Sequence, residues 1–154
     1  MGDQEKHVRQ WKHNRLFIET IEPRFPDWIV TASFYVALHA VDSLLAFDKV
    51  HGVTSHDSRN RVLFETNRYL QIKRHYIPLY DLARTVRYLA NPQVWVPYAQ
   101  VETQVLRRHL YPLETSVQKL MGASLGFSEI HLSTGGPSGM PRSSDVDAGS
   151  EKKS

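Results

Sequence analysis

The sequence has 154 residues, of which 41% are hydrophobic and 23% are charged, a balance typical of one folded domain with room for a tail. The absence of cysteine excludes disulfides and thiolate metal sites. The formal net charge of +3 permits nucleic-acid binding without requiring it.

The first two predicted helices occupy the N-terminal third of the chain. The first covers residues 4–21, and the second begins at Pro26 and runs to about Phe47. The second carries the longest apolar segment, so we interpret it as the spine of the core. Because Asp42 and a ladder of Thr, Ser and His side chains interrupt that segment, a membrane span is not expected. No secretory signal is visible either, and we expect a cytoplasmic protein.

Three further helices follow a turn at Gly52. Thr54, Ser55 or Asp57 offers an N-cap for a helix over 58–74, which Pro78 is expected to end or kink. A fourth helix is predicted over 79–90. A fifth is predicted over 97–121, with a kink at Pro112.

The composition changes beyond Gly122. Residues 131–154 are rich in Gly, Ser and Pro and have almost nothing to bury, so we predict a disordered tail after a helical domain over residues 1–130. Some apolar side chains just before the tail could dock on that domain: Leu125, Phe127, Ile130 and Leu132. The predicted fold class is all-α, an up-down bundle of four or five helices.

Several kinds of site have no sequence motif in this chain. There is no Gly-rich phosphate loop, no nucleophile elbow and no HExxH zinc helix. We therefore expect neither a metal site nor a cofactor.

A polar ladder on the second helix is the first candidate site. Tyr35, His39, Asp42 and Ser43 are three and four residues apart and share one face. Asp42 could orient His39 and raise its pKa, giving a base or a phosphate-binding imidazolium. Alternatively, the ladder is a hydrogen-bonded seam that holds helices or protomers in register.

Two further candidates contain an arginine and a histidine. In SHDSRNR, His56 and Arg59 could hold a phosphate at a helix N-terminus, or they could form a cap and a solvated basic turn. Arg68 and His75 lie seven apart on nearly the same helical face. Arg can stabilise a pentavalent phosphate while His transfers a proton, which would suffice for RNA cleavage without a metal. The alternative for this pair is a solvated helix face.

The segment DLARTVRY is the fourth candidate. Arg84 and Arg87 are three apart and are flanked by Tyr80 and Tyr88. Interleaved basic and aromatic side chains could bind RNA. Salt bridges of these arginines to Asp81 or other carboxylates would explain the pattern equally well.

Taken together, FYVALHAVDSLLA, the Gly-containing loop and SHDSRNR resemble the centre of a HEPN domain. That family often shows a YYAxxHAxxALL helix, a loop, and a histidine that opens the next helix. The later YIPLYDLARTVRY is similar to a Y…L…R…RY segment of some members. The resemblance covers about residues 8–121.

The resemblance implies an up-down bundle that usually dimerises. Many members are metal-independent RNases of toxin–antitoxin, CRISPR or other defence systems. Others are nucleotide-binding or partner-binding modules, often beside a nucleotidyltransferase. Catalytic members carry Arg and His separated by four to six residues, a spacing that Arg68 and His75 meet, although Tyr69 follows the arginine where Asn, Asp or His is usual.

Three hypotheses follow. In the first, a homodimeric HEPN-like protein binds nucleotide or RNA without turnover, in a polar groove lined by His39, Asp42, His56, Arg59 and Arg84. In the second, the protein is an endoribonuclease in which Arg68 stabilises the scissile phosphate and His75 acts as general base or acid. In the third, it is a purely structural helical dimerisation or interaction subunit, whose polar ladder serves only the dimer. An antitoxin or a nucleotidyltransferase is among the partners to consider.

Overall fold

A computed structural model describes residues 2–88 and 96–134, which form an up-down helical bundle with no strand in those two ranges. The helices are α1 (Asp3–Thr20), α2 (Pro26–Phe47), α3 (His56–Glu65), α4 (Leu70–Arg87), α5 (Tyr98–Val101), a π-helical segment (Glu102–Leu110) and α6 (Tyr111–Met121). The last three follow one another directly with right-handed helical backbone at both junctions, so they form one helical rod. The predicted all-α class is confirmed.

Helix α2 is the centre of the bundle, as its apolar composition predicts. It begins with Pro26, whose missing N–H costs nothing in a first turn, and with Asp27, whose charge favours a helix N-terminus. It packs against α1, α4, α6 and the π-helical segment. Its length and composition alone would also suit a membrane span, yet 78% of its most apolar window is buried within the bundle.

The helix boundary between α3 and α4 lies at a different residue from the predicted one. Thr66 has extended backbone and a short 3-10 turn, Asn67–Tyr69, follows it. Helix α4 then continues through Pro78, so the prediction that Pro78 ends or kinks a helix near residue 74 is wrong about the boundary. A proline costs a helix about 3 kcal/mol. Burial of Tyr76 and Leu79, both 0% exposed, on either side of Pro78 offsets that cost.

The rod over residues 98–121 passes Pro112 without a break. The wider hydrogen bonding of the π-helical segment ends at Tyr111, whose N–H bonds to the Leu106 carbonyl. Pro112 then lies at the start of α6, where its missing N–H is tolerated.

The segment after α6 returns along the bundle, which confirms the predicted docking. Ile130 is buried, and its N–H donates to the Tyr111 hydroxyl at 2.8 Å. Arg15 of α1 donates to the Ser128 carbonyl and to buried Glu114, which also accepts from Trp11 Nε1 at 2.7 Å. These bonds fasten α1, α6 and the returning segment together. Of the predicted disordered tail, residues 135–154 lie outside the described residues.

Candidate functional site

The polar ladder of α2 separates into two groups with different partners. Thr31, Ser33 and Ser43 donate to carbonyls of their own helix at 2.7–2.9 Å. These hydroxyls are therefore satisfied locally. The remaining polar residues of the ladder contact other helices.

Asp42 forms a buried ion pair with Arg59 of α3. The Arg59 Nε and Nη2 donate to the two carboxylate oxygens at 2.6 and 2.8 Å, and the side chains are only 8% and 12% exposed. Burial opposes the charged form of Arg59, but the hydrogen bonds with Asp42 outweigh it and raise the pKa of Arg59. The pair therefore joins α2 to α3 and leaves little charge for a phosphate.

His56 lies beside this pair, at the start of α3. Its ring contacts Phe34 and Tyr80, with centroids 5.7 and 5.5 Å away. Burial lowers the pKa of His56, and Arg59 lowers it further, so the neutral imidazole is favoured at pH 7. Ser55 caps the helix by accepting the Ser58 N–H at 3.1 Å, which occupies one of the groups expected to hold a phosphate.

His39 contacts His7 of α1, with the two Nδ1 atoms 3.1 Å apart. Burial lowers the pKa of His39, His7 lowers it further, and the opposing effect of Asp42 is smaller. Asp42 does act to raise the pKa of His39, as predicted, but burial and His7 outweigh it and the net pKa is lowered. The sequence did not indicate this net lowering, because the burial of His39 and its contact with His7 both come from helix packing.

Arg84 and Arg87 project from the last turns of α4 among tyrosines. The Arg84 guanidinium lies 5.5 Å from the centre of the Tyr80 ring, and that of Arg87 lies 5.7 Å from Tyr88 and 5.9 Å from Tyr35. Arg87 Nη1 also donates to the Tyr35 hydroxyl at 3.2 Å. We name Tyr35, Tyr80, Arg84, Arg87 and Tyr88 the arginine–tyrosine surface.

Neither arginine of this surface forms an ion pair with a residue in 2–88 or 96–134. The alternative explanation of this segment, a salt bridge to Asp81 or another carboxylate, is therefore not found in these ranges. Tyr88 is 73% exposed, so the surface is open to solvent. Within the described part of the chain, the surface thus contains two cations without an ion pair and one well-exposed aromatic ring.

Arg68 and His75 have separate partners. Arg68 donates to both Asp48 carboxylate oxygens at 2.8 and 2.9 Å and to the Leu120 carbonyl at 3.1 Å. His75 instead faces His109 of the π-helical segment, with their Nδ1 atoms 3.5 Å apart. Among the described contacts, none joins Arg68 to His75.

A polar cleft of about 410 Å³ opens between α1 and the loop after α2, next to the Asp42–Arg59 pair. His7 and His51 also line it. In the described part of the chain, no group of three or more His, Asp or Glu side chains is placed to hold a metal ion.

The structure therefore brings together four of the five predicted binding residues, all but His39, and does not bring together the predicted catalytic pair. Asp42, Arg59 and His56 are in contact, and Arg84 joins them through Tyr80. The sequence reasoning did not identify His7, because only the packing of α1 on α2 brings it to His39. A helical-face analysis of both helices could have suggested a contact, but not its register.

Comparisons with protein-family models, with curated proteins and with solved structures found no significant match for this chain. The resemblance to HEPN domains thus depends on the sequence motifs alone and stays a prediction.

Proposed function

We propose that this chain is a HEPN-like helical protein that binds nucleotide or RNA without turnover, and that the arginine–tyrosine surface is where the phosphate is bound. The observation that carries the proposal is the surroundings of the Arg84 and Arg87 guanidinium groups. Both lie among tyrosine rings and neither has a carboxylate partner in the described ranges. Guanidinium groups pair with phosphate oxygens, and exposed aromatic rings stack on bases.

Some other arginines of the bundle are already engaged by carboxylates. Arg15 is bound by Glu114, Arg59 by Asp42, and Arg107 by Glu102 and Glu129. Recruiting any of them to a phosphate would require breaking a pair. This costs about 3–5 kcal/mol for the buried Arg15 and Arg59, and up to about 1 kcal/mol for the exposed Arg107. Arg84 and Arg87 have no ion pair to break within residues 2–88 and 96–134.

Fluorescence anisotropy with a short labelled single-stranded RNA tests this proposal. At about 50 mM salt the wild type is expected to bind. The affinity of Arg84→Ala/Arg87→Ala is expected to be lower by a factor of about ten or more, because two phosphate contacts are lost. Arg74→Ala removes an exposed arginine from the same helix and is the matched control. Equal affinity of the double variant and the control, or no binding by the wild type, would refute the proposal.

The same RNA incubated with the protein in EDTA distinguishes binding from cleavage. We expect the RNA to remain intact, because Asp48 and the Leu120 carbonyl hold Arg68 and no described contact links it to His75. Cleavage that disappears in Arg68→Ala/His75→Ala would establish the endoribonuclease alternative instead.

A further inference from the structure

A groove between α1 and α2 adjoins the arginine–tyrosine surface and is not used by the phosphate contacts proposed above. It has a volume of about 250 Å³, and it is lined by Gln10, Asn14, Phe17, Trp28, Tyr35 and His39, among others. This volume is below the range of about 300–1,000 Å³ that is usual for drug-sized ligands. The groove therefore suits one small planar group.

Exposed aromatic rings form two sides of the groove. Trp28 and Tyr35 are seven residues apart on α2, which places them on the same helix face two turns apart. Trp28 is 56% exposed, and Phe17 of α1 is 48% exposed. Such large apolar surfaces are costly to leave in water, and a stacked ring would cover them.

An amide pair supplies polar groups at the same groove. Gln10 Nε2 donates to Asn14 Oδ1 at 2.8 Å. This bond leaves the Gln10 oxygen as a free acceptor and the Asn14 nitrogen as a free donor, and exchanging the two amides end for end would still leave one of each. An adjacent donor and acceptor match the edge of a nucleobase, which presents the complementary groups.

The groove and the adjoining arginine–tyrosine surface differ in charge. None of the lining side chains carries a formal charge, since burial and His7 lower the pKa of His39 and favour its neutral form. Tyr35 belongs to both the groove and the arginine–tyrosine surface, where its hydroxyl accepts from Arg87. An uncharged aromatic slot next to an arginine complements a ligand with a neutral ring and an attached phosphate.

From these observations we infer that the α1/α2 groove takes a nucleobase, stacked against Trp28 and read by Gln10 and Asn14, while the phosphate attached to that nucleoside lies at Arg87. This inference rests on the proposed function and adds the ligand class, a base-bearing nucleotide unit rather than any polyanion. A free nucleotide and one unit of a single-stranded RNA share this chemistry.

Binding of a single-stranded RNA compared with an abasic strand of equal length provides the test. The wild type is expected to prefer the base-bearing strand by about 5- to 100-fold, the range for one stacked base. Trp28→Ala should remove most of that preference, whereas Trp28→Phe should retain much of it. Phe64→Ala, which removes another exposed aromatic side chain, should leave the preference unchanged.

A second readout uses the fluorescence of Trp28, which should be quenched by the ligand and should not respond in Trp28→Phe. Quenching by a nucleoside monophosphate would identify free nucleotides as ligands, and quenching by RNA alone would identify a strand; either supports the inference.

Two results would overturn the inference while sparing the proposed function. One is equal affinity for the base-bearing and abasic strands. The other is a Trp28→Ala variant that binds RNA normally but changes from dimer to monomer in light scattering, which would make the groove a contact between two copies. Absence of binding to either strand would instead remove the proposed function and the inference together.

Discussion

The Asp42–Arg59 ion pair shows that single charged residues contribute to the stability of this fold. An isolated charge in a protein interior is strongly unfavourable, and here each side chain neutralises the other with two hydrogen bonds. On the same helix, Tyr35 accepts a hydrogen bond from the half-buried Arg87. Residues of one helical face thus divide between holding the bundle together and lining the proposed binding surface.

Asp42→Ala is expected to destabilise the protein by about 3–5 kcal/mol, because it leaves the buried Arg59 charge unpaired. The free energy of unfolding in urea measures this loss. Asp42→Leu/Arg59→Met, which removes both charges, should recover most of it.

Glu22→Ala serves as the control for this series, since it removes a pair with Arg24 in which both side chains are well exposed. A loss as large in Glu22→Ala as in Asp42→Ala would contradict the assignment of Asp42–Arg59 as a structural pair.

At the scale of elements, two histidines join α4 to the π-helical segment. Burial lowers the pKa of His75, and nearby Arg74 lowers it further. Burial also lowers the pKa of His109, with additional contributions from His75 and Arg108. The contact between these elements therefore favours both imidazoles in the neutral form.

Stability should consequently decrease in mild acid. Because the folded pKa values lie below the ordinary value of 6.5, the unfolded chain takes up protons first as the pH falls through 6.5. The contribution of the two neutral histidines to the free energy of unfolding is fully present above pH 6.5 and is lost as the pH falls below it. Unfolding measured from about pH 7.5 to about pH 5.5 should show this decline, and His109→Gln should make it shallower. The exposed His13→Gln is the control, and an unchanged decline in His109→Gln would contradict the account.

The sequence predicted some elements well and others poorly, for physical reasons. Pro26–Phe47 was predicted with its observed bounds, since its long apolar run and the first-turn proline are local signals. The break at Thr66 and the helix through Pro78 were missed, because burial of Tyr76 and Leu79 outweighs the local cost of the proline. That burial depends on neighbouring helices, which one sequence does not reveal.

The site residues show the same contrast between local sequence signals and the effects of helix packing. Helical spacing identified His39, Asp42, His56 and Arg59, but not the pairing of Asp42 with Arg59, which comes from the packing of α3 on α2. The docking of Ile130 was predictable because it needed only an apolar side chain before a polar tail. Recognition of Trp28 as part of a groove required the position of α1.

At the scale of the whole molecule, α1 has two stripes with different roles, and the arginines fall into two sets. One stripe of α1, with Trp11, Arg15 and Ile18, is buried and fastens the C-terminal segment, while the neighbouring stripe with Gln10, Asn14 and Phe17 faces the groove. Several arginines are neutralised within the bundle, whereas Arg84 and Arg87 form no ion pair with another described residue. The molecule therefore presents a neutral aromatic groove continuous with a cationic surface.

The salt dependence of RNA affinity tests the central claim most directly. Each phosphate contact on a single strand contributes about 0.7 to the slope of log affinity against log salt concentration. We predict that Arg84→Ala/Arg87→Ala lowers the wild-type slope by about 1.4, the sum of two such contacts, and that Arg74→Ala leaves it unchanged. The same slope in the wild type and the double variant would show that these arginines do not bind phosphate and would contradict the proposed function.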